Sequence, residues 1–280
     1  MRKINSSIIT EEVKKMCIKA NCHIDLSIKK ALEKACLEEE SETGKNVLEN
    51  LLKNAEIADK KEVPICQDTG MAVFFVEIGR DIFVEGDSLD EAIEKGVKQG
   101  YEDGYLRKSV VIDPLNRINT QDNTPPVIHY SFCDGDKLKI TFAPKGFGSE
   151  NKSALKMLNP SDGREGVVDF VLETVKKAGA NPCPPMVIGV GIGGTFEKAA
   201  QLAKFALTRD IDKSNPNQYY ADLEKELLTK INKLGIGPQG LGGITTALGV
   251  NVEYFPTHIA GLPVAVNINC HATRHETIVI

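Results

Sequence analysis

The hydrophobic pattern of the chain changes at Pro64, and this change limits the folds it can adopt. Before Pro64, apolar residues recur at helical spacing and predict two or three packed helices. After it, short apolar runs are separated by glycine, proline and polar residues, and the run 71–78 (MAVFFVEI) predicts a strand. The sequence predicts an α+β fold: a single domain over 1–280, with a helical N-terminal segment over about 1–60 and a part with mixed helices and mainly antiparallel sheet over about 61–280.

Local signals place further elements after Pro64. Ser88 and Glu91 form a capping box and predict a helix that runs toward Gly104. The alternating runs 127–132 and 137–142 surround Asp134-Gly135 and predict a hairpin. The intervening stretch 105–126 is polar and interrupted by prolines, which favours a functional loop. The remaining pattern predicts helices at 167–178, 195–207 and 221–234, and strands at 186–190, 245–253 and 263–268.

Charge and hydropathy exclude several classes of protein. The 280 residues carry a formal net charge of −5, whereas a protein that binds nucleic acid usually presents a basic face. No apolar run approaches the roughly 20 residues that a membrane span needs. The N-terminal stretch lacks the apolar core of a signal peptide. We therefore expect a cytoplasmic protein that binds neither nucleic acid nor membrane.

The seven cysteines fall into two groups. An odd number in such a chain argues against a disulfide framework. Four of them lie in helical sequence or at the end of a strand, and we expect these to be structural: Cys17, Cys22, Cys36 and Cys133. The other three lie in loop-like stretches rich in proline, glycine or polar residues: Cys66 in ICQDTG, Cys183 in NPCPP and Cys270 in NCHATRH.

These three loop cysteines suit a metal centre, although the frame of Cys66 can also be read as a tight turn and that of Cys183 as the approach to a strand. Structural zinc sites bring paired ligands two to four residues apart, a spacing that Cys66 and Cys183 lack. Iron–sulfur clusters are normally held by four thiolates. Three thiolates would leave one iron open as a Lewis acid, which is suited to the removal of a hydroxyl as water.

Two other features have competing interpretations. The stretch 189–194 (GVGIGG) matches the glycine pattern of a dinucleotide site after a strand and before a helix. Such a site also needs a strand that ends in an acidic residue about 20 positions on, but the residues before Asp210 read as helix, so a glycine-rich turn is favoured. His258, between two predicted strands, is either a structural histidine or a ligand-binding residue.

Longer stretches resemble one family over nearly the whole chain. They are CQDTG (66–70), DPLNRINTQDNTP (113–125), KGFGSENKSAL (145–155), NPCPP (181–185), GVGIGGTFEKAAQLAK (189–204), GPQGLGG (237–243) and PTHIAGLPVAVNINCHATRH (256–275). Together they resemble the α-subunit of class I fumarases and L-tartrate dehydratases. The resemblance implies a hydro-lyase that interconverts (S)-malate and fumarate, with the conversion of L(+)-tartrate to oxaloacetate as the alternative.

The resemblance also implies roles for individual residues. A [4Fe–4S] cluster would be held by Cys66, Cys183 and Cys270, with its fourth iron open to the substrate. A small dicarboxylate would be bound and converted by Gln67, Asp68, Arg107, Gly148 and His258, with Asp68 a candidate base and Arg117 an alternative to Arg107. The base and further basic anchors lie partly on a separate β-subunit, so we expect an α2β2 or similar assembly.

Overall fold

The computed structural model describes residues 1–280 as two compact units. The first comprises residues 1–24, 55–147 and 274–280, and the second comprises residues 25–54 and 148–273. Helices and strands occur in both units, so the predicted α+β class is confirmed. The predicted helical N-terminal segment is also confirmed, as three helices: α1 (Ser6–Cys22), α2 (Leu26–Glu38) and α3 (Glu42–Lys61). The single domain over 1–280 stays a prediction.

The first unit is built on a four-stranded sheet. Besides α1 and the end of α3, its elements are β1 (Arg2–Asn5), β2 (Met71–Gly79), β3 (Ile82–Glu85), α4 (Leu89–Asp103), β4 (Val127–Cys133), β5 (Leu138–Lys145) and β10 (Glu276–Val279). The strand order is β10-β5-β2-β4, and β1 pairs separately with β3. Strand β2 has nine residues, most of them apolar, and it lies inside the sheet with β5 on one edge and β4 on the other.

Helices α1 and α4 pack closely in this unit. Gly96 and Gly100 of α4 face α1, where an added Cβ would lie 2.6 Å from the Val13 side chain and 2.7 Å from that of Cys17. The absence of a side chain at both positions therefore permits the close approach. Helix α4 begins at the predicted capping box, in which the Ser88 hydroxyl accepts from the Glu91 N–H and the Glu91 carboxylate accepts from the Ser88 N–H.

The predicted hairpin over 127–142 is wrong, although both of its strands exist. Strands β4 and β5 do not pair with each other: β2 lies between them, parallel to β4 and antiparallel to β5. Gly135 does adopt a turn conformation that favours glycine, with φ +101°. Its carbonyl accepts a hydrogen bond from the Asp81 N–H instead of closing a β4–β5 ladder. The strongly apolar β2 takes the central position because it buries the most apolar surface there.

The second unit has a four-stranded sheet with helices on both faces. Besides α2 and the start of α3, its elements are α5 (Phe147–Glu150), whose first residue belongs to the first unit, β6 (Ala154–Leu158), α6 (Gly163–Ala178), β7 (Met186–Gly193), α7 (Phe196–Ala206), α8 (Gln218–Asn232), β8 (Ala247–Phe255) and β9 (Leu262–Asn269). The strand order is β6-β9-β7-β8. Strand β7 is parallel to β8 and antiparallel to β9, so the sheet is mixed.

The two faces of this sheet bury different side chains. One face packs against α6 and α8 through branched aliphatic residues such as Val190, Val264 and Val266. The other face packs against α7 through small residues, with Ala199 and Ala203 fully or almost fully buried. The small residues allow α7 to lie close to the strands.

The hydrophobic pattern of the sequence did not predict every strand. Strands β1, β6 and β10 have four or five residues each and were not predicted, because runs this short carry little periodic signal. The loop predicted at 105–126 is confirmed, apart from an isolated bridge between Val111 and Asn119. None of the helices combines the length and the hydropathy needed to cross a bilayer.

Candidate active site

The loop 66–70 of the first unit carries Cys66, Gln67 and Asp68. Cys66 is half-buried, and the Asp68 N–H points at its sulfur over 3.4 Å. The Asp68 carboxylate accepts one hydrogen bond from the Gly70 N–H at 3.0 Å and another from the Phe147 N–H at 2.9 Å. Two backbone donors therefore fix the orientation of this carboxylate, while the side chain of Gln67 is exposed.

Gly70 ends this loop in a conformation and a space that suit only glycine. Its φ is +81°, and an added Cβ would lie 2.7 Å from the backbone nitrogen of Lys145. The close approach brings the loop against the end of β5, where the segment that contains Gly146 and Phe147 begins. Gly70 of the CQDTG motif thus allows the Asp68 carboxylate to reach its second hydrogen-bond donor, the Phe147 N–H.

Buried residues distant in sequence hold the same loop from behind. The Tyr101 hydroxyl at the end of α4 lies 2.9 Å from the carbonyls of both Thr69 and Gly70. Asn123 is fully buried, donates to the Gly70 carbonyl at 3.2 Å and accepts from the Ser109 N–H at 2.7 Å. Burial raises the pKa of Tyr101 well above its ordinary value, so the hydroxyl keeps the proton that it donates.

Arg274 is a further support that the sequence did not identify by role. It is 5% exposed, and its guanidinium donates to the Asp68 carbonyl at 2.8 Å and to the Asn21 side chain at 3.2 Å. NCHATRH is the frame of Cys270, one of the three cysteines predicted to suit a metal centre. For Arg274, the structure shows instead a guanidinium that fixes the backbone of the Asp68 loop.

The structure distinguishes the two candidate arginines by their surroundings. The backbone carbonyl of Arg107 accepts a hydrogen bond from the Thr69 hydroxyl at 3.1 Å, which attaches this arginine to the Asp68 loop, and its side chain is exposed. Arg117 lies in the turn that follows Asp113, with φ +59° and an exposed side chain. Of the two, Arg107 is the one whose backbone is bonded to the loop that carries Asp68.

The second unit brings the loops of Cys183 and Cys270 together. Cys183 is exposed, and its φ of +53° is unusual for a residue with a side chain. Its carbonyl accepts a hydrogen bond from the His271 N–H at 3.3 Å and lies 3.0 Å from the ring Nδ1 of His271. Cys270, the residue before His271, is half-buried. Within either unit, no group of three or more His, Cys, Asp or Glu side chains gathers as a metal site.

The predicted substrate residues Gly148 and His258 also lie in this unit. Gly148 belongs to the short helix α5, and an added Cβ there would have the Asn181 carbonyl oxygen as its nearest neighbour, at 4.0 Å. His258 is exposed on the loop between β8 and β9, where its Nδ1 accepts from the Ala260 N–H at 3.1 Å. It lines a cavity of about 370 Å³ together with Arg164 and mainly apolar residues.

The glycines at 189–194 serve packing rather than a phosphate turn. Gly189 and Gly191 lie inside β7, and an added Cβ at either would lie 2.1 Å from a carbonyl oxygen of α7. The preference for a glycine-rich turn was therefore only partly right, because just Gly193 and Gly194, at φ +89° and +71°, make the turn before α7. The first two glycines let helix and strand touch.

The four cysteines expected to be structural differ in their surroundings from the three loop cysteines. Cys17 and Cys22 are buried, and burial raises the pKa of both thiols and thereby disfavours the thiolate that binds metal. Cys36 is half-buried with its pKa raised by the same cause, while Cys133 is exposed at the end of β4. Only Cys66, Cys183 and Cys270 lie outside helices and strands.

Comparison with known proteins finds similar sequences over most of the chain. The family model described as fumarate hydratase (Fumerase) matches residues 10–279. A Methanocaldococcus jannaschii protein, provisionally named L(+)-tartrate dehydratase subunit alpha, is 46% identical over 95% of each chain. Proteins named L(+)-tartrate dehydratase subunit alpha from Escherichia coli and Shigella sonnei are 36% and 35% identical, over 86% of this chain and 80% of theirs.

These matches define the class of the protein as a hydro-lyase, an enzyme that adds or removes water. The chain belongs to the fumarate hydratase family, in agreement with the family resemblance of its sequence. The relatives that it matches are named as alpha subunits.

Proposed function

We propose that this chain is the α-subunit of an iron–sulfur hydro-lyase that interconverts (S)-malate and fumarate. The observation that carries the proposal is the match of residues 10–279 to the fumarate hydratase model. It is supported by the fixed carboxylate of Asp68 and by three loop cysteines, and both features fall in stretches that resemble the family.

The cysteine set fits a [4Fe–4S] cluster. Soft thiolates select iron–sulfur clusters over magnesium or calcium, and the N–H of Asp68 aimed at the Cys66 sulfur would stabilise a thiolate there. The ligands would be Cys66, Cys183 and Cys270. When bound, the cluster would supply an open iron that acts as a Lewis acid toward the substrate hydroxyl.

Residues of this chain would bind and orient the substrate. A dicarboxylate of charge −2 needs cationic or hydrogen-bond donors at both ends. We assign Arg107 and His258 to its carboxylates, and Gln67 and Gly148 to the walls of its site. His258 already accepts a hydrogen bond at Nδ1, so the other ring nitrogen would carry the proton that it donates to a carboxylate.

Asp68 is the acid–base candidate in this chain. Elimination of water requires a base that takes a proton from the carbon next to the departing hydroxyl. The two backbone donors leave lone pairs on each Asp68 oxygen while preventing the carboxylate from rotating. Further basic groups would come from a separate β-subunit, in an α2β2 or similar assembly. The names of the relatives as alpha subunits support this partner.

L(+)-Tartrate is the second candidate substrate, because the relatives with 35–46% identity carry that name. Tartrate differs from malate by one hydroxyl, which a small change of the pocket can accommodate. The product from tartrate would be oxaloacetate, with loss of one water.

The test is an assay of the chain together with its β-subunit, after anaerobic reconstitution with iron and sulfide. We expect about four irons per α-chain, fewer after Cys183→Ala, and turnover of malate that exceeds turnover of tartrate. Preference for tartrate would support the second candidate. Absence of iron, or an iron content unchanged by Cys183→Ala, would contradict the cluster.

A further inference from the structure

Gln239, in the GPQGLGG stretch of the second unit, has an unusual backbone conformation. Its φ is +53°, in the left-handed region that favours glycine, and its neighbours Gly237 and Gly240 also have positive φ. This conformation has an energetic cost for a residue with a side chain. Such residues persist where the surroundings compensate for the cost, often at functional sites. The glutamine side chain should therefore have a specific task.

The contacts of Gln239 show what that task is. Its backbone N–H donates to the Pro184 carbonyl at 2.8 Å, and its side-chain Nε2 donates to the same oxygen at 2.9 Å. The same Nε2 lies 3.2 Å from Nδ1 of His271. Pro184 directly follows Cys183, and His271 directly follows Cys270. One amide group thus touches the residue after each of the two cysteines.

The loop that presents Gln239 is itself anchored. Glu39, which is 1% exposed, accepts hydrogen bonds from the N–H groups of Ile244 and Thr245 at 3.0 and 2.9 Å. At the other end, the Thr246 hydroxyl accepts from the Gly237 N–H at 3.2 Å. These hydrogen bonds fix both ends of the loop. The fold therefore determines where the backbone presents the Gln239 side chain.

We propose that Gln239 is a positioning residue that holds the Cys183 and Cys270 loops in the spacing that a metal cluster requires. This proposal rests on the proposed function, since it needs the two cysteines to share a cluster. Gln239 has no ligand role in it. The amide acts through Pro184 and His271.

The test compares Gln239→Gly with the wild-type chain, both reconstituted anaerobically with iron and sulfide. Glycine is suited to φ +53°, so the metal-free variant should unfold at the same temperature as the wild type or a higher one. Iron loss to a chelator, followed by the visible absorbance of the cluster, should be about tenfold faster, a factor equivalent to roughly 1.4 kcal/mol. A purely structural role would not separate these two readouts.

Gln121→Gly is the matched control. Gln121 is exposed, has φ +70° and lies in the first unit. We expect this variant to lose iron at the wild-type rate. Equal rates for Gln239→Gly and the wild type would overturn the proposal and leave the proposed function intact. Faster iron loss with an equally large loss of metal-free stability would overturn it as well. A wild-type chain that binds no iron would overturn both.

Discussion

The Asp68 carboxylate accepts a hydrogen bond from the Phe147 backbone N–H at 2.9 Å, across 79 positions of sequence. This contact joins the CQDTG motif to the KGFGSENK motif at the end of β5. Because Gly70 supplies the second donor, both oxygens of the carboxylate are fixed by backbone. An acid–base group benefits from such fixation, since proton transfer depends on the distance and angle to the reacting carbon.

Asp68→Asn should lower turnover by the α/β pair about 10²- to 10⁴-fold, the contribution typical of a positioned acid–base group. The amide cannot take the proton, but it keeps the size of the side chain. Iron content should not change, which separates this effect from loss of the cluster. Asp134→Asn is the control, because Asp134 is 88% exposed in its ion pair with Arg80. Turnover within threefold of wild type would refute an acid–base role for Asp68.

Tyr101→Phe should destabilise the chain by about 1–3 kcal/mol, because the carbonyls of Thr69 and Gly70 lose a buried donor. Urea unfolding at neutral pH measures this cost. Tyr105→Phe, at a tyrosine that is 93% exposed, should change stability by less than about 0.5 kcal/mol. Equal effects of the two substitutions would contradict the supporting role of Tyr101.

The same tyrosine predicts the behaviour of the chain in alkali. Burial raises the pKa of Tyr101 in the folded chain well above the ordinary value of 10, so the unfolded chain releases this proton first. The stability that Tyr101 contributes is complete below about pH 10 and is lost as the pH rises toward the folded pKa. Between about pH 10 and 11, wild-type stability should therefore fall more steeply than that of Tyr101→Phe. Parallel curves would contradict this.

Glu39→Gln should cost about 2 kcal/mol in the free energy of unfolding at neutral pH. The carboxylate accepts from backbone N–H groups of its own loop and of Ile244 and Thr245, and an amide can offer only one acceptor oxygen. The exposed neighbour Glu40 provides the control Glu40→Gln, for which we expect no measurable change. A loss shared equally by both variants would contradict the anchoring role of Glu39.

The pH dependence of Glu39 follows from its pKa. Burial is the largest single influence and opposes ionisation, but the hydrogen bonds from Ser41, Thr245 and Ile244 together outweigh it and lower the pKa below the ordinary 4.5. Its stabilising contribution is therefore present above about pH 4.5 and is lost as the pH falls through the folded pKa. Acid unfolding of Glu39→Gln should show a smaller drop over this range than that of the wild type.

Gly191→Ala should destabilise the second unit by about 3 kcal/mol or more, because the new Cβ would lie 2.1 Å from the Ala199 carbonyl oxygen. Gly261→Ala is the control, since its Cβ would meet nothing closer than 4.0 Å. Thermal unfolding with and without NAD tests the alternative. An increase in melting temperature with NAD would favour a dinucleotide site over a packing role for these glycines.

Sequence patterns predicted the elements with a strong period or a local signal. The helices before Pro64, the capping box of Ser88 and Glu91, and the apolar strand β2 all appear where the pattern placed them. The hairpin failed because a turn signal at Asp134-Gly135 specifies a reversal of direction but not the partner of each strand. Strand β2 lies between β4 and β5 because of how the whole sheet buries its apolar residues. The sequence of a single segment contains no information about that arrangement.

The sequence by itself determined the family, the helices and main strands, and the motifs that carry Cys66, Asp68, Cys183 and Cys270. Only the tertiary structure decided which side chains hold those motifs in place. Tyr101 and Asn123 support the Asp68 loop, and Gln239 connects the two cysteine loops of the second unit. These contacts join residues 31 to 55 positions apart. The donors and acceptors of these hydrogen bonds come together only when the backbone has folded. Neither the periodicity nor the local composition of the sequence therefore predicts them.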